Sequence, residues 1–353
     1  MSENYGARKI VRVDLGGTPS RPDTLSDGTV SIVELLKGTW TSEAQGWNLI
    51  ALPSSTPKQF RLLMNQYGET LSFNRFADLN VPNRGVLPEN CEADQKIDAI
   101  TYEQIVHQRA VDDFPSSDPA SKLRANNGDG IHHESGFFLQ LLNHVITGHT
   151  EEDGKPNGDE EELKIARQAS IPHGNSVLAM GTIKTFAGPP RADFEINSED
   201  ATPERINDKN FNTNGYLAPY RHFEDNPFFG NVPNTAVGFP GFSPKDANKI
   251  LKFSLSKLSV KKTTVLHFDT KYRNEKYLTN VPISNIPFVA REANVTEMHA
   301  DFWIMELNKP HESADPEFVM QYSQTVYLEF FESDEKGKLI RWPHVSINTL
   351  RKV

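Results

Sequence analysis

The chain has 353 residues, 37% of them hydrophobic and 10% aromatic, and its formal net charge at pH 7 is −10. This is enough material for a sizeable core in one large or two ordinary domains. The acidic balance argues against nucleic acid and against an anionic membrane as partners, because neither attracts a negative surface. The single cysteine, Cys91, excludes an internal disulfide framework and argues against multi-cysteine metal sites.

The amino-terminal residues, Met1 to Gly6, lack the charged and apolar regions of a secretory signal. No apolar run approaches the roughly 20 residues that cross a bilayer as a helix. We therefore expect a cytoplasmic protein.

The first half of the chain is dominated by strand patterns. Alternating apolar and polar residues predict six strands, over residues 35–50, 60–73, 97–108, 130–143, 163–171 and 176–186. The acidic run at 151–162 predicts a solvated hairpin loop, and its spacing does not match a calcium loop. Six strands with short polar connections favour an antiparallel meander, and closure into a barrel would remove its exposed edges.

Residues 188–248 interrupt this pattern with many prolines and aromatic rings. Proline resists regular structure, yet so many rings would not be left in water. We expect an ordered insertion packed on the barrel, either over one mouth or on the outer wall.

Strand patterns resume at 250–269, 294–307 and 319–332, with an irregular connection at 277–290, and the chain ends in one more strand that contains His344. The prediction is a mainly β, single-domain protein spanning residues 1–353. Its fold is one antiparallel up-and-down β-barrel of about eight to ten strands. Residues 30–187 supply the first six strands, 188–248 the insertion, and 249–353 the closing strands.

Two histidines are candidate ligands. His344 follows Pro343 at the end of the apolar sheet, and neutral imidazole is the commonest protein ligand of transition metals and often holds haem iron. A lone histidine in a strand is more commonly a hydrogen-bonded structural residue, so both interpretations stay open. His173 lies between Pro172 and Gly174, in a turn at the barrel rim. It could donate to a ligand or pair with a haem propionate, or it could only cap the turn.

Two further groups are weaker candidates. His132 and Glu134 are two residues apart on a strand and therefore share a face, as an acid–base pair or, more often, as a buried polar pair. His133 points the other way. Arg84 and Arg167 are candidate partners for haem propionates, because guanidinium binds carboxylates bidentately. An arginine in a polar loop is usually only solvated.

Several phrases carry a resemblance to a known family. Leu36–Trp40, Ile131–Phe138 and the terminal strand with His344 resemble, in the same order, the nitrobindin family of small haem-binding β-barrels. A longer bacterial group, usually called haem-binding protein, is similar over nearly the whole chain; the phrases involved are Gly46–Ala51, Pro82–Gly85, Ser170–Ser176 and Arg341–Ser346. The resemblance implies a calycin-like barrel that holds haem b, with His344 at the position of the iron ligand.

The expected function is therefore haem binding with a histidine-ligated iron, for handling nitric oxide or peroxynitrite or as a haem sensor or store. Any enzymatic activity would be isomerisation of peroxynitrite or weak peroxidase activity. Two alternatives remain open. The barrel could carry a fatty acid or another small apolar ligand under a lid, or His132 and Glu134 could act as acid and base in a lyase or isomerase.

Overall fold

The structure is a computed structural model that describes residues 30–75, 97–142, 146–152, 154–191, 195–233, 236–273, 282–308 and 317–353. Its helices are α1 (Ile32–Leu36), α2 (Ala218–Asp225), α3 (Lys249–Leu255) and α4 (Pro287–Glu292). Its strands are β1 (Gly38–Pro53), β2 (Phe60–Arg75), β3 (Ile97–Phe114), β4 (Gly130–Leu141), β5 (Ile146–Glu152), β6 (Lys155–Leu163), β7 (Ile165–Ile171), β8 (Asn175–Ala187), β9 (Val260–Asp269), β10 (Tyr272–Arg273), β11 (Ile283–Asn285), β12 (Asn294–Leu307), β13 (Phe318–Glu332) and β14 (Leu339–Lys352).

Ten of these strands form a closed antiparallel barrel, in the order β8, β7, β4, β3, β2, β1, β14, β13, β12, β9. Pairing of β9 with β8 completes the ring, and along the chain the insertion and α3 lie between these two strands. Each barrel strand pairs with its neighbours along the chain, and β1 pairs with β14. The predicted mainly β, up-and-down barrel is confirmed.

Alternation along the strands fills the barrel with aromatic rings. Phe138 on β4 packs edge to face against Phe73, Tyr102, Phe268 and Phe302, with ring centroids 5.1 to 5.6 Å apart. These rings come from five different strands, so their packing joins opposite sides of the barrel.

Helix α1 lies across the barrel end at which β1 begins and β4 finishes. Ser31 caps it by accepting a hydrogen bond from the Glu34 amide, and Ile32, Val33 and Leu36 are fully buried. Gln140 of β4 holds the entry to the helix, accepting from Ile32 N and donating to Val30 O. A strand starting at Leu35 was therefore the wrong prediction, because the serine cap and the helical spacing of the apolar residues outweigh alternation here.

The insertion packs on the outer wall of the barrel. The Trp47 ring of β1 contacts Phe228, Phe239 and Phe242 at centroid distances of 5.6 to 6.0 Å. At the start of β2, the Phe60 ring contacts the rings of Tyr216 and Tyr220 of the insertion. Of the two positions expected for this segment, these contacts place it on the outer wall.

Three local predictions were wrong. The acidic run at 151–162 is not a loop, because β5 and β6 form a hairpin that joins β10 in a separate three-stranded sheet. Its charged side chains stay in water on a strand as well as they would on a loop. Residues 249–255 form helix α3 rather than a strand, since Ile250 and Leu251 are buried at adjacent helical positions. The connection 277–290 contains β11 and most of α4.

None of the helices within the described ranges is long and apolar enough to cross a membrane.

Candidate functional site

A buried ion pair occupies the centre of the barrel. Arg167 of β7 and Glu134 of β4 both point inward, with Nη2 and Oε1 2.5 Å apart. Arg167 also donates from Nε to the Tyr102 hydroxyl at 3.2 Å and from Nη1 to Gln324 Oε1 at 2.5 Å. The Tyr102 hydroxyl in turn donates to Glu134. Each nitrogen of the guanidinium group is thus used inside the barrel.

The electrostatics of this pair keep it charged. Burial alone would raise the pKa of Glu134, but the positive charge of Arg167 and hydrogen bonds from His132 and Tyr102 lower that pKa to about 2. Glu134 reciprocally raises the pKa of Arg167 against the effect of burial. Three of the five donors of Arg167 are engaged inside the barrel, and its role as a partner of a haem propionate stays a prediction.

A second polar cluster lies beside the first. Glu69 of β2 accepts hydrogen bonds from the Tyr322 hydroxyl at 2.6 Å, Asn348 Nδ2 at 2.7 Å and Gln104 Nε2 at 2.8 Å. The Tyr67 hydroxyl lies 2.8 Å from that of Tyr322. Burial raises the pKa of Glu69, although its three donors oppose the shift.

These polar side chains fill the middle of the barrel. The cavity left among them has a volume of about 10 Å³, enough for about one water molecule. Between these described side chains the space is therefore too small for a large ligand. Inward-facing polar residues on opposite strands pair with each other across the space that a large ligand would need.

His344 lies in the barrel with its Nε2 atom buried, and none of the residues that the structure describes forms a hydrogen bond with that atom. Burial, with a smaller contribution from His132 and His173, lowers the pKa of His344 to about 4. The imidazole is therefore neutral near pH 7, the form in which a ring nitrogen binds a metal. The two other histidines are close enough to affect its charge.

His132 and His173 lie together at this end of the barrel, with ring centroids 5.7 Å apart. His132 Nε2 is 3.4 Å from Glu134 Oε2, and its side chain is 30% exposed. His173 occupies the turn between β7 and β8 and is exposed, and partial burial together with His132 lowers its pKa. We call His132, His173 and His344 the histidine cluster. It is reached from solvent on the His132 and His173 side.

The remaining candidate residues are distributed as follows. His133 points outward and lies 3.0 Å from Glu103, so it is separate from the cluster. Arg84 and Cys91 lie outside the described residues. Among the residues that the structure does describe, no group of three or more His, Cys, Asp or Glu side chains is arranged to hold a metal ion.

The sequence interpretation missed the cluster around Glu69. The available signal was its strand position, because Glu69, Leu71 and Phe73 share one face and the two apolar residues mark that face as inward. A carboxylate there requires buried donors. The pattern does not say which residues supply them.

Comparisons with known proteins assign no family. No family model matches the chain, and no curated protein matches it. Among solved structures, the crystal structure of Rv2717c from M. tuberculosis is similar over 91% of this chain and 95% of that one, at 10% identity and a TM-score of 0.33. Similarity this low carries no argument about ancestry or function.

Proposed function

We propose that this protein binds haem b at the histidine cluster, with His344 Nε2 as the ligand of the iron. The observation that carries the proposal is the buried Nε2 atom of a neutral imidazole, for which the described part of the chain supplies no hydrogen-bond partner. A buried polar atom without a partner costs about 1–3 kcal/mol. Coordination of a metal offsets that cost and uses the lone pair that burial has kept unprotonated.

The number of protein ligands favours haem over a free metal ion. A structural or catalytic zinc ion takes three or four protein ligands, and no such group exists among the described residues. A porphyrin brings four nitrogens of its own, so one histidine is enough. The resemblance to the nitrobindin family, in which the matching histidine ligates haem iron, supports the same residue.

The filled centre of the barrel limits where the group could lie. Arg167 and Glu134 occupy the middle, so a porphyrin fits only towards the open side of the histidine cluster. Since Nε2 of His344 is covered, neighbouring side chains have to move when the group enters. His132 is partly exposed and His173 is exposed, so these two side chains are the ones that can move aside.

A bound haem with one protein ligand supplies an iron centre that takes a small ligand such as nitric oxide. The chain's own contribution is to hold imidazoles around that centre. Glu134 fixes one nitrogen of His132, and the lowered pKa of His173 keeps it largely neutral near pH 7. We extend the proposal to handling of nitric oxide or peroxynitrite, as the resemblance implies.

The carrier alternative receives less support from the geometry. A fatty acid needs a long apolar cavity, whereas the cavity at the centre of the barrel measures about 10 Å³ and is lined in part by Arg167, Gln104 and Gln324.

Titration of haemin into the full-length protein tests the proposal. We expect saturation at one haemin per chain with a histidine-type Soret spectrum, and at least about tenfold weaker binding with a changed spectrum for His344→Ala. His133→Ala is the matched control, because His133 faces outward on the barrel wall, and it should bind like the wild type. Equal spectra and affinities for His344→Ala and wild type, with both variants folded by circular dichroism, would remove His344 as the ligand.

A further inference from the structure

A second cavity, of about 270 Å³, lies outside the barrel. Its floor is the outer wall of β8, β9 and β12, where Thr182, Val265 and Trp303 lie. Glu161 of β6 and Tyr272 of β10 form one side, and residues of the insertion form the other. The barrel, the small sheet and the insertion all contribute to this cavity. Its described lining residues do not include His132, His173 or His344, so it is separate from the histidine cluster.

A histidine–aspartate pair lies in the floor. His267 of β9 and Asp301 of β12 are directly opposite each other, with Nδ1 and Oδ1 2.7 Å apart. Burial alone would lower the pKa of His267, but the hydrogen bond and the charge of Asp301 raise it. The Tyr272 ring packs edge on against His267, and its hydroxyl donates to Glu161 at 2.5 Å. The carboxylate thus orients the ring through Nδ1.

The charges around the cavity decide which class of ligand it suits. The described residues that line it include the carboxylates of Glu161, Glu195 and Asp301, which repel an anion such as phosphate. It also has the ammonium group of Lys184, which opposes an organic cation, and the imidazole of His267. Lys184 Nζ lies 3.9 Å from Glu161 and His267 is paired with Asp301, so these groups have partners inside the site, whereas the Glu195 carboxylate is exposed to water.

What the cavity offers to a neutral ligand is hydrogen bonding beside an apolar surface. Carboxylate oxygens accept, while the Lys184 ammonium group and the Thr182 hydroxyl donate. Trp303 and Val265 supply the apolar part of the floor, and only a small fraction of each, 3% and 5%, is exposed to the C–H groups of a ligand. A ring that carries hydroxyl groups on its rim and C–H groups on its faces matches this arrangement. The geometry points to a binding site for a neutral polyhydroxylated molecule the size of one sugar ring.

Binding can be measured by calorimetry and by tryptophan fluorescence, since Trp303 lines the cavity. The probes are glucose, galactose, mannose and N-acetylglucosamine, with inorganic phosphate and butylammonium as the charged competitors. We expect at least one sugar to bind and to change the fluorescence, and neither charged probe to bind as tightly. Asp301→Asn should weaken sugar binding by about tenfold, which is the loss expected when one well-formed hydrogen bond to a charged group is removed.

Two further variants keep the test decisive. Glu195 is exposed, so Glu195→Gln cannot impair folding and should weaken binding severalfold even if Asp301→Asn fails to fold. Glu103→Gln, on the outer wall beside His133 and away from the cavity, is the control and should bind like the wild type. The inference is overturned if no sugar of the panel binds, if phosphate or butylammonium binds more tightly, or if the folded cavity variants keep wild-type affinity.

Discussion

Removing the positive charge at the centre of the barrel should strongly destabilise the fold. In an Arg167→Met variant, Glu134 keeps its buried position but loses its closest cation. Its pKa, about 2 in the wild type, would rise at least to its ordinary 4.5, because burial alone raises it. A change of 2.5 pKa units corresponds to about 3 kcal/mol at 1.36 kcal/mol per unit. Breaking one partner out of a buried pair costs about 3–5 kcal/mol, the same range.

The pH dependence of this loss distinguishes a lost charge from lost packing. A lowered carboxyl pKa contributes stability above pH 4.5 that disappears as the pH falls towards 2. In the variant the raised pKa lets Glu134 take up a proton at higher pH. The difference in unfolding free energy between wild type and variant should therefore shrink as the pH is lowered from the variant's raised pKa, at or above 4.5, towards 2.

Urea unfolding monitored by tryptophan fluorescence gives the measurement. Arg351→Met is the control, because the Arg351 and Glu317 side chains are 58% and 49% exposed and such a pair is worth at most about 1 kcal/mol. A loss below about 1 kcal/mol for Arg167→Met, or a larger loss that does not change with pH, would refute the reasoning. Adding Glu134→Leu to Arg167→Met should restore part of the stability, since no buried charge then remains.

Three other outcomes are expected. Gly136→Ala places a Cβ 1.9 Å from a carbonyl oxygen of β7 and should cost at least about 1–3 kcal/mol in urea unfolding, whereas Gly130→Ala on the same strand meets nothing within 4 Å and should be nearly neutral. Burial lowers the pKa of His299, but pairing with Glu199 raises it overall. The contribution of this pair to the free energy of unfolding is therefore full below pH 6.5 and is lost as the pH rises through the raised pKa. His299→Gln should remove this pH dependence from the free energy of unfolding measured in urea. Haemin affinity, measured against pH, should stay constant down to about pH 4, where His344 takes up a proton, and a fall with a midpoint near pH 6.5 would contradict a buried ligand.

The sequence was sufficient for the barrel because alternation is a strong local signal for strands. It was insufficient for α1 and α3, where short apolar runs such as Ile32–Leu36 fit a buried helix as well as a strand. Only contacts with the rest of the fold decide between the two.

The site was predictable only in part, for a related reason. Side chains alternate between the two faces of a strand, which places His132 and Glu134 on one face, and the structure shows both on the face that lines the barrel interior. This alternation does not identify Arg167 as the partner of Glu134. The two residues lie on β4 and β7, which are neighbours in the barrel but are separated along the chain by the β5–β6 hairpin. Nor does the alternation show that buried polar pairs of this kind fill the centre of the barrel. The role of His344 as a ligand remains a prediction.

The most direct test of haem ligation by His344 is the resonance Raman spectrum of the protein after it has been loaded with haemin and the iron has been reduced to the ferrous state. An iron–histidine stretching band is expected in the wild type and in His133→Ala, and it should be absent from His344→Ala. A band that persists in His344→Ala but disappears when His132 or His173 is replaced by alanine would place the iron on another member of the histidine cluster and contradict the proposal.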